Sequence, residues 1–336
     1  RRRGQAFIGK LGLPSTAELD SDINVGYLVY LDRTFPPAAD RRDMAIAGSI
    51  WIRGDVDLGL GSPDYESHFK LSETSLKLRR FRQGRDSTSR IDRWAADVTH
   101  GVVKSVVARR QTFDQDIYAA AAAGLAGRWE TDWGTRRMRN RSFHLSRGRS
   151  VAVPMSDITG SFRYAEAKGI RALRLPLDDS TFLKRGHGKL SLTILLPSAT
   201  ESFDLAIPGS VSDLSDLFKK MRAMPIRASF PRIRMAHRAD VLPALRALGL
   251  GAAFGPRGWY GGPDRKWHLA GAFHGTSIDI RDPPVKVPVP KGENLKGLPS
   301  LRFDVDRPFV FIVRDEETGL LPFVGIIRDP RSARSG

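Results

Sequence analysis

The chain has 336 residues, 41% of them hydrophobic, which is enough to build a sizeable core as one large domain or two ordinary ones. It holds no cysteine, so disulfides, thiolate metal sites and cysteine nucleophiles are excluded. The formal net charge is +17, mostly from arginine, which predicts attraction to polyanions. No apolar run approaches the roughly 18 residues of a membrane-spanning helix, so no membrane partner is expected.

The histidines at 68, 100, 144, 187, 237, 268 and 274 are scattered without ligand spacing, so no metal or other cofactor is expected. The basic residues are dispersed, with denser stretches at 77–93 and 136–141. No nucleic-acid motif accompanies them, so any binding of heparin or nucleic acid should be weak and diffuse. Arg1-Arg2-Arg3-Gly4 imitates the basic end of a signal peptide, but Lys10 and the break at Pro14-Ser15-Thr16 leave no visible signal sequence.

In chain order, the spacing of Leu19, Ile23, Leu28 and Leu31 predicts a helix over 15–35, stopped by Pro36-Pro37. Met44 to Ile52 reads as a strand. Ser87 to Val103 reads as a helix with Ile91, Trp94, Ala95 and Val98 on one face. Strands are predicted over 150–155, 160–164, 173–177 and 190–196, and helices over 213–221 and 239–248. The second of these helices would end at Gly249 as a C-cap. Strands at 308–313 and 320–327 close the chain. Helices and strands mix without regular βαβ alternation, so the class is α+β.

The segment 282–300, DPPVKVPVPKGENLKGLPS, carries Pro283, Pro284, Pro288, Pro290 and Pro299 between two strand-like runs. A connection this long without helix or turn signals is usually functional or disordered, and its prolines favour an extended backbone.

Phe303-Asp304-Val305-Asp306-Arg307-Pro308-Phe309-Val310-Phe311 resembles the signature F-x-A-D-x-P-F-x-F of the serpins, the serine-protease-inhibitor superfamily. It continues with Arg314, Thr318-Gly319, Phe323, Gly325 and Asp329-Pro330 in the family's order. Upstream, Ile91-Asp92-Arg93-Trp94-Ala95 resembles I-N-x-W-V, 121–133 resembles N-A-I-Y-F-K-G-x-W-x-x-x-F, and 151–164 resembles V-x-V-P-M-M-x-x-x-G-x-F-x-Y. Segments 190–197 and 230–254 add weaker matches. The resemblance covers about residues 5–332 and departs at the start, where Arg3 to Ser15 resembles a segment that follows the family's first two helices.

The resemblance implies a single α+β domain over 1–336, with large mixed or antiparallel sheets, surrounding helices and an exposed reactive loop at 282–302. It implies no catalytic residue and no enzyme activity. A serine protease is the implied partner, and an extracellular or periplasmic location the implied setting. Such a protein offers its loop as a substrate, and the cut loop inserts as a strand in the middle of a sheet. The candidate scissile region is Lys296, Gly297 and Leu298. The loop hinge is Asp282, Pro283, Pro284, Val285, Pro288 and Pro290. His274 and Trp129 fall at the sheet-opening region. The hinge prolines lack the N–H that pairs with a neighbouring strand, so they oppose insertion. The leading expectation is a non-inhibitory interaction or carrier scaffold. The alternatives are a suicide-substrate inhibitor and a polyanion-binding protein. In the family, heparin binding often uses a basic fourth helix, but the corresponding residues 21–34 carry no basic stripe.

Overall fold

The structure is a computed structural model that describes residues 44–54, 76–81, 86–107, 113, 117–129, 137–145, 148–178, 190–197, 211–247, 269–281, 301–317 and 319–331. The helix expected over 15–35 and the segment 282–300 lie outside the described residues. The chain divides into two compact units, one formed by 1–126 and 236–278, the other by 127–235 and 279–336.

The first unit is built on a five-stranded sheet, in the order β2-β1-β3-β10-β9. Its strands are β1 (Met44–Arg53), β2 (Leu76–Phe81), β3 (Ile117–Leu125), β9 (Arg234–Asp240) and β10 (Leu269–Asp279). β1 runs antiparallel to β3, whereas β3 and β10 are parallel neighbours. Helix α1 (Asp86–Val98) covers one face of this sheet. Its expected apolar stripe is buried as predicted: Ile91, Trp94 and Ala95 are in the core with Val98 packed against it. The core of this face is aromatic, with Trp51 set edge-on to Trp94 and Phe113 at the centre of Phe81, Tyr118 and Phe273. Edge-to-face rings of this kind each add about 1 kcal/mol to their area burial.

Three boundaries differ from the sequence reading for identifiable reasons. Helix α1 ends at Val98 and not Val103, because His100 and Gly101 take φ of 50° and 79°, which a right-handed helix does not admit. The strands expected at 150–155 and 160–164 are one strand, β5 (Ser150–Ala167), supported by three successive partners. The helix expected over 239–248 starts later, as α3 (Leu242–Leu245) with Pro243 in its first turn and a π-helical continuation at 246–247, because the preceding residues are drawn into β9 beside β10; residue 248 lies outside the described residues.

The second unit holds an eight-stranded sheet in the order β11-β8-β5-β6-β7-β12-β13, with β4 also paired to β5. Its other strands are β4 (Arg137–His144), β6 (Ile170–Pro176), β7 (Leu190–Pro197), β8 (Arg222–Pro231), β11 (Leu301–Asp304), β12 (Phe309–Asp315) and β13 (Phe323–Ile327). Every residue of β7 is buried, as expected of a central strand covered on both faces. Helix α2 (Val211–Lys220) packs Leu217 against Ala165, Ile170, Ala172, Leu195, Val310 and Ile312. Together the two units make the expected α+β class with large mixed sheets.

The same helix shields an ion cluster. Glu316 accepts from Arg174 at 2.8 Å and from Arg314 at 2.6 Å, and both guanidiniums lie over the ring of Phe218, at 5.2 and 5.4 Å. Burial holds the Arg174 guanidinium below its ordinary pKa, opposed by the charge of Glu316. Replacing Glu316 by Gln leaves two cations desolvated against one ring. The variant should lose about 3 kcal/mol in chemical denaturation, and adding Arg174→Met should restore part of that loss. An unchanged denaturation midpoint for Glu316→Gln would show that the cluster is solvated.

Candidate functional site

The functional expectation rests on two places, the seam between β3 and β10 and the base of the segment 282–300. At the seam the two strands pair directly, with His274 opposite Ala121 and Gly275 opposite Ala122. In this register nothing separates them, so a strand entering here would have to replace the whole β3–β10 ladder.

The chain that follows α1 crosses the seam at close range. A Cβ on Gly275 would lie 2.8 Å from the Val106 side chain and 3.0 Å from the Ser105 carbonyl oxygen. One on Gly124 would lie 2.9 Å from Val102. These two glycines, one on each strand, let residues 102–106 rest on the sheet. Asp92 of α1 fastens that crossing, accepting from the backbone N–H of Val106 at 2.8 Å and of Val107 at 3.2 Å, and from the Ser105 hydroxyl at 3.1 Å. Thr99 accepts from the Val103 N–H at 2.9 Å and donates to the Ala95 carbonyl at 2.6 Å. The sequence reading used Asp92 only as a motif position, gave Gly124 no role, and missed this fastening. No local signal marks it, since β3, with its run of alanines, does not read as a strand from propensity.

His274 projects from the face opposite Phe273 and Gly275, following the two-residue alternation of β10. It is half-buried, and burial together with the positive charge of His237 holds its imidazole below the ordinary value. Trp129 lies in the other unit. It is almost wholly buried and set edge-on to Phe230, with ring centroids 5.5 Å apart. The two residues expected at the sheet-opening region therefore belong to different compact units.

Trp129 also marks the base of the segment 282–300. Its backbone N–H donates to the Arg281 carbonyl at 3.2 Å, and the Arg281 backbone N–H donates to the Gly127 carbonyl at 2.9 Å. The Ile280 N–H donates to the Ile233 carbonyl at 2.9 Å, and Arg232 grips Asp279 through contacts of 2.8 and 3.1 Å. The chain is thus pinned on two sides where it enters the segment. It re-enters the structure as β11, parallel to β8 with Leu301 opposite Ile226. The hinge residues Asp282, Pro283, Pro284, Val285, Pro288 and Pro290 and the scissile candidates Lys296, Gly297 and Leu298 lie outside the described residues.

The signature around Pro308 has a packing role. Phe303, Val305, Phe309 and Phe311 are all buried. Asp306 accepts from the Arg307 guanidinium, which also donates to the Pro197 carbonyl at 2.6 and 2.9 Å. Phe303 is set edge-on to Tyr164 and lies under the Arg171 guanidinium.

A lowered His274 pKa has a defined consequence for stability. As pH falls, the unfolded chain takes up the proton before the folded one does. Folded stability should therefore be full above about pH 6.5, the ordinary value, and should decline below it. The thermal midpoint should drop from pH 7 to pH 5, and His274→Gln should flatten that drop. An equal slope in the variant would assign the pH dependence to other groups.

Comparison with known proteins agrees with this geometry. The serpin family model, described as serine protease inhibitor, matches residues 13–330. A serpin-like protein of Thermococcus kodakarensis is 24% identical over 73% of this chain and 57% of its own length. Serpin H1 of Rattus norvegicus is 27% identical over 75% of the chain and 60% of its own length. A probable non-inhibitory serpin-Z9 of Oryza sativa is 23% identical over 86% of the chain and 67% of its own length. The matches thus span only about 57 to 67% of these relatives. Among solved structures, native protease nexin-1 with heparin superposes with a TM-score of 0.78 at 16% identity, covering 98% of this chain and 87% of that one. The native stressed conformation of Arabidopsis AtSerpin1 gives 0.77 at 18% identity, covering 96% and 85%. With the family model matching nearly its whole length and the fold shared at these scores, the chain belongs to the serpin family.

Proposed function

We propose that this chain is a serpin-fold interaction or carrier scaffold that does not inhibit proteases by loop insertion and is not itself an enzyme. The observation that carries this reading is the run Pro283, Pro284, Pro288 and Pro290 placed directly after the pinned exit of β10. An inserted strand begins with these residues, and each proline removes one ladder hydrogen bond. Where the facing carbonyl is buried, each loss costs on the order of 1–3 kcal/mol. The strand would also have to part the β3–β10 ladder and displace the crossing at Gly124 and Gly275. A rice relative described as a probable non-inhibitory serpin supports the reading.

The second reading is a serine-protease inhibitor that uses 282–302 as bait, favoured by the family's own description. The anchors of the segment support it. Ile233 and Ile226 lie seven residues apart along or beside β8, a span of roughly 20 Å, which a chain as long as 282–300 exceeds several-fold. The surplus is proposed to stand away from the sheet as an exposed loop, with Lys296, Gly297 and Leu298 as the region a protease would cut. Polyanion binding is a third reading, resting on the charge of +17 and on the heparin bound by protease nexin-1. Each reading treats 1–336 as one serpin-like domain in an extracellular or periplasmic setting.

Incubation with a panel of serine proteases separates the first two readings. A trypsin-like enzyme should cut near Lys296 without forming an SDS-stable complex, and thermal unfolding of the cut chain should change little. A stable complex, or a rise of tens of degrees in the midpoint after cutting, would establish the inhibitor reading. Replacing the four hinge prolines by alanine should raise the midpoint of the cut chain. No gain in that variant would show that the prolines are not the obstacle.

A further inference from the structure

The groove between α1 and the β1–β2 edge of the first unit holds a cavity of 190 Å³ lined by Trp51, Arg79, Arg90, Arg93, Trp94 and Asp97, with Val98. Arg79 of β2 stands opposite Trp51 in the strand register and lies over its indole, 5.8 Å from the ring centroid. Arg90 and Arg93 face it from the exposed side of α1, one helical turn apart. Asp97 follows on the next turn. Trp51 and Trp94 are 2% and 3% exposed, so they form an apolar wall and not a stacking platform.

The charges here are unbalanced, unlike those at three half-buried arginines of the second unit. Arg174 and Arg314 share Glu316, and Arg307 pairs with Asp306. In the groove three guanidiniums face one carboxylate, and none of them forms an ion pair among the described residues. The Nε of Arg79 is buried and has no hydrogen-bond acceptor. A buried donor without an acceptor is costly, and the cations of Arg90 and Arg93 stand on the exposed helix face beside it. A solvated basic face avoids this cost by spreading its side chains. This arrangement is instead matched by an oxyanion with two negative charges, since guanidiniums bind phosphate and sulfate oxygens through paired N–H groups.

We infer that the α1–β2 groove is a binding site for a phosphate or sulfate ester, with Arg79, Arg90 and Arg93 holding the oxyanion and Asp97 accepting from a hydroxyl of its carrier. The cavity of 190 Å³ has room for the oxyanion and a few carrier atoms, and it opens to solvent, so the rest of the carrier can extend outward. The bound anion would tie strand β2 to helix α1. This goes beyond the polyanion reading above, which treats the positive charge as diffuse.

Isothermal titration of the full chain at constant ionic strength, balanced with chloride, tests the site with inorganic phosphate, inorganic sulfate, glucose 6-phosphate and glucosamine 6-sulfate as probes. At least one probe should bind saturably. Arg79→Gln should weaken it about tenfold, as expected for loss of a charged hydrogen bond. Because Arg79 is half-buried, Arg93→Gln on the exposed helix face serves as a second variant and should weaken binding similarly. Arg227→Gln, on the exposed side of β8 in the other unit, should leave it unchanged. Esters binding more tightly than the free ions would assign the site to an anion carried on a sugar-like scaffold, and equal affinities to the free anion. Absence of saturation with all four probes would overturn the inference. So would binding that survives in both pocket variants, or that falls equally with Arg227→Gln.

Discussion

The parallel ladder between β3 and β10 is the constraint on which the functional reading turns. Its strands are held together by backbone hydrogen bonds along their length and from above by residues 102–107, which two glycines admit and Asp92 fastens. Opening the ladder means exposing two rows of backbone donors and acceptors while breaking the Asp92 contacts. Serpin inhibition requires such an opening, so the cost of parting this seam and the ease with which 282–290 could fill it decide between scaffold and inhibitor. The prolines act on the second quantity, and the Asp92 crossing acts on the first.

The second unit has the opposite character. Its eight strands are tied by long, regular pairings, with β5 serving β4, β8 and β6 in turn. The family signature closes this sheet by burying Phe303, Phe309 and Phe311 and by turning Arg307 onto the Pro197 carbonyl. Its residues secure the strands that follow the segment 282–300, while Arg232, Asp279, Gly127 and Trp129 secure the chain that precedes it. Both flanks of the segment 282–300 are thus fixed to strands of the second unit.

Arginine plays two physical roles in this chain. In the second unit, the half-buried Arg174 and Arg314 are neutralised by Glu316 and packed on the ring of Phe218. These side chains act as structural cement, their long stems covering apolar surface. In the groove beside α1 three residues of the same type meet a single carboxylate, Asp97, with no ion pair among the described residues. Composition cannot separate the two roles, since both add equally to the charge of +17.

The sequence by itself determined the family, the α+β class, the β1, β7 and β12 strands, and the apolar stripe of α1. Each of these is written in local periodicity or in a motif whose residues are packed close together. It did not disclose β3 as a strand from propensity, since alanine is depleted in strands and favours helices. Ala120 and Ala122 lie in β3 because they face the crowded aromatic core beneath α1, where larger side chains would not fit. Nor could it place Arg79 beside Arg93 or Gly275 beneath Val106. Arg79 and Arg93 sit on a strand and a helix, Gly275 and Val106 are far apart in the chain, and only the packing of α1 and of residues 102–106 on the sheet brings each pair together. Side-chain chemistry is read locally along a chain, whereas convergence of charge and closeness of approach are properties of the folded sheet.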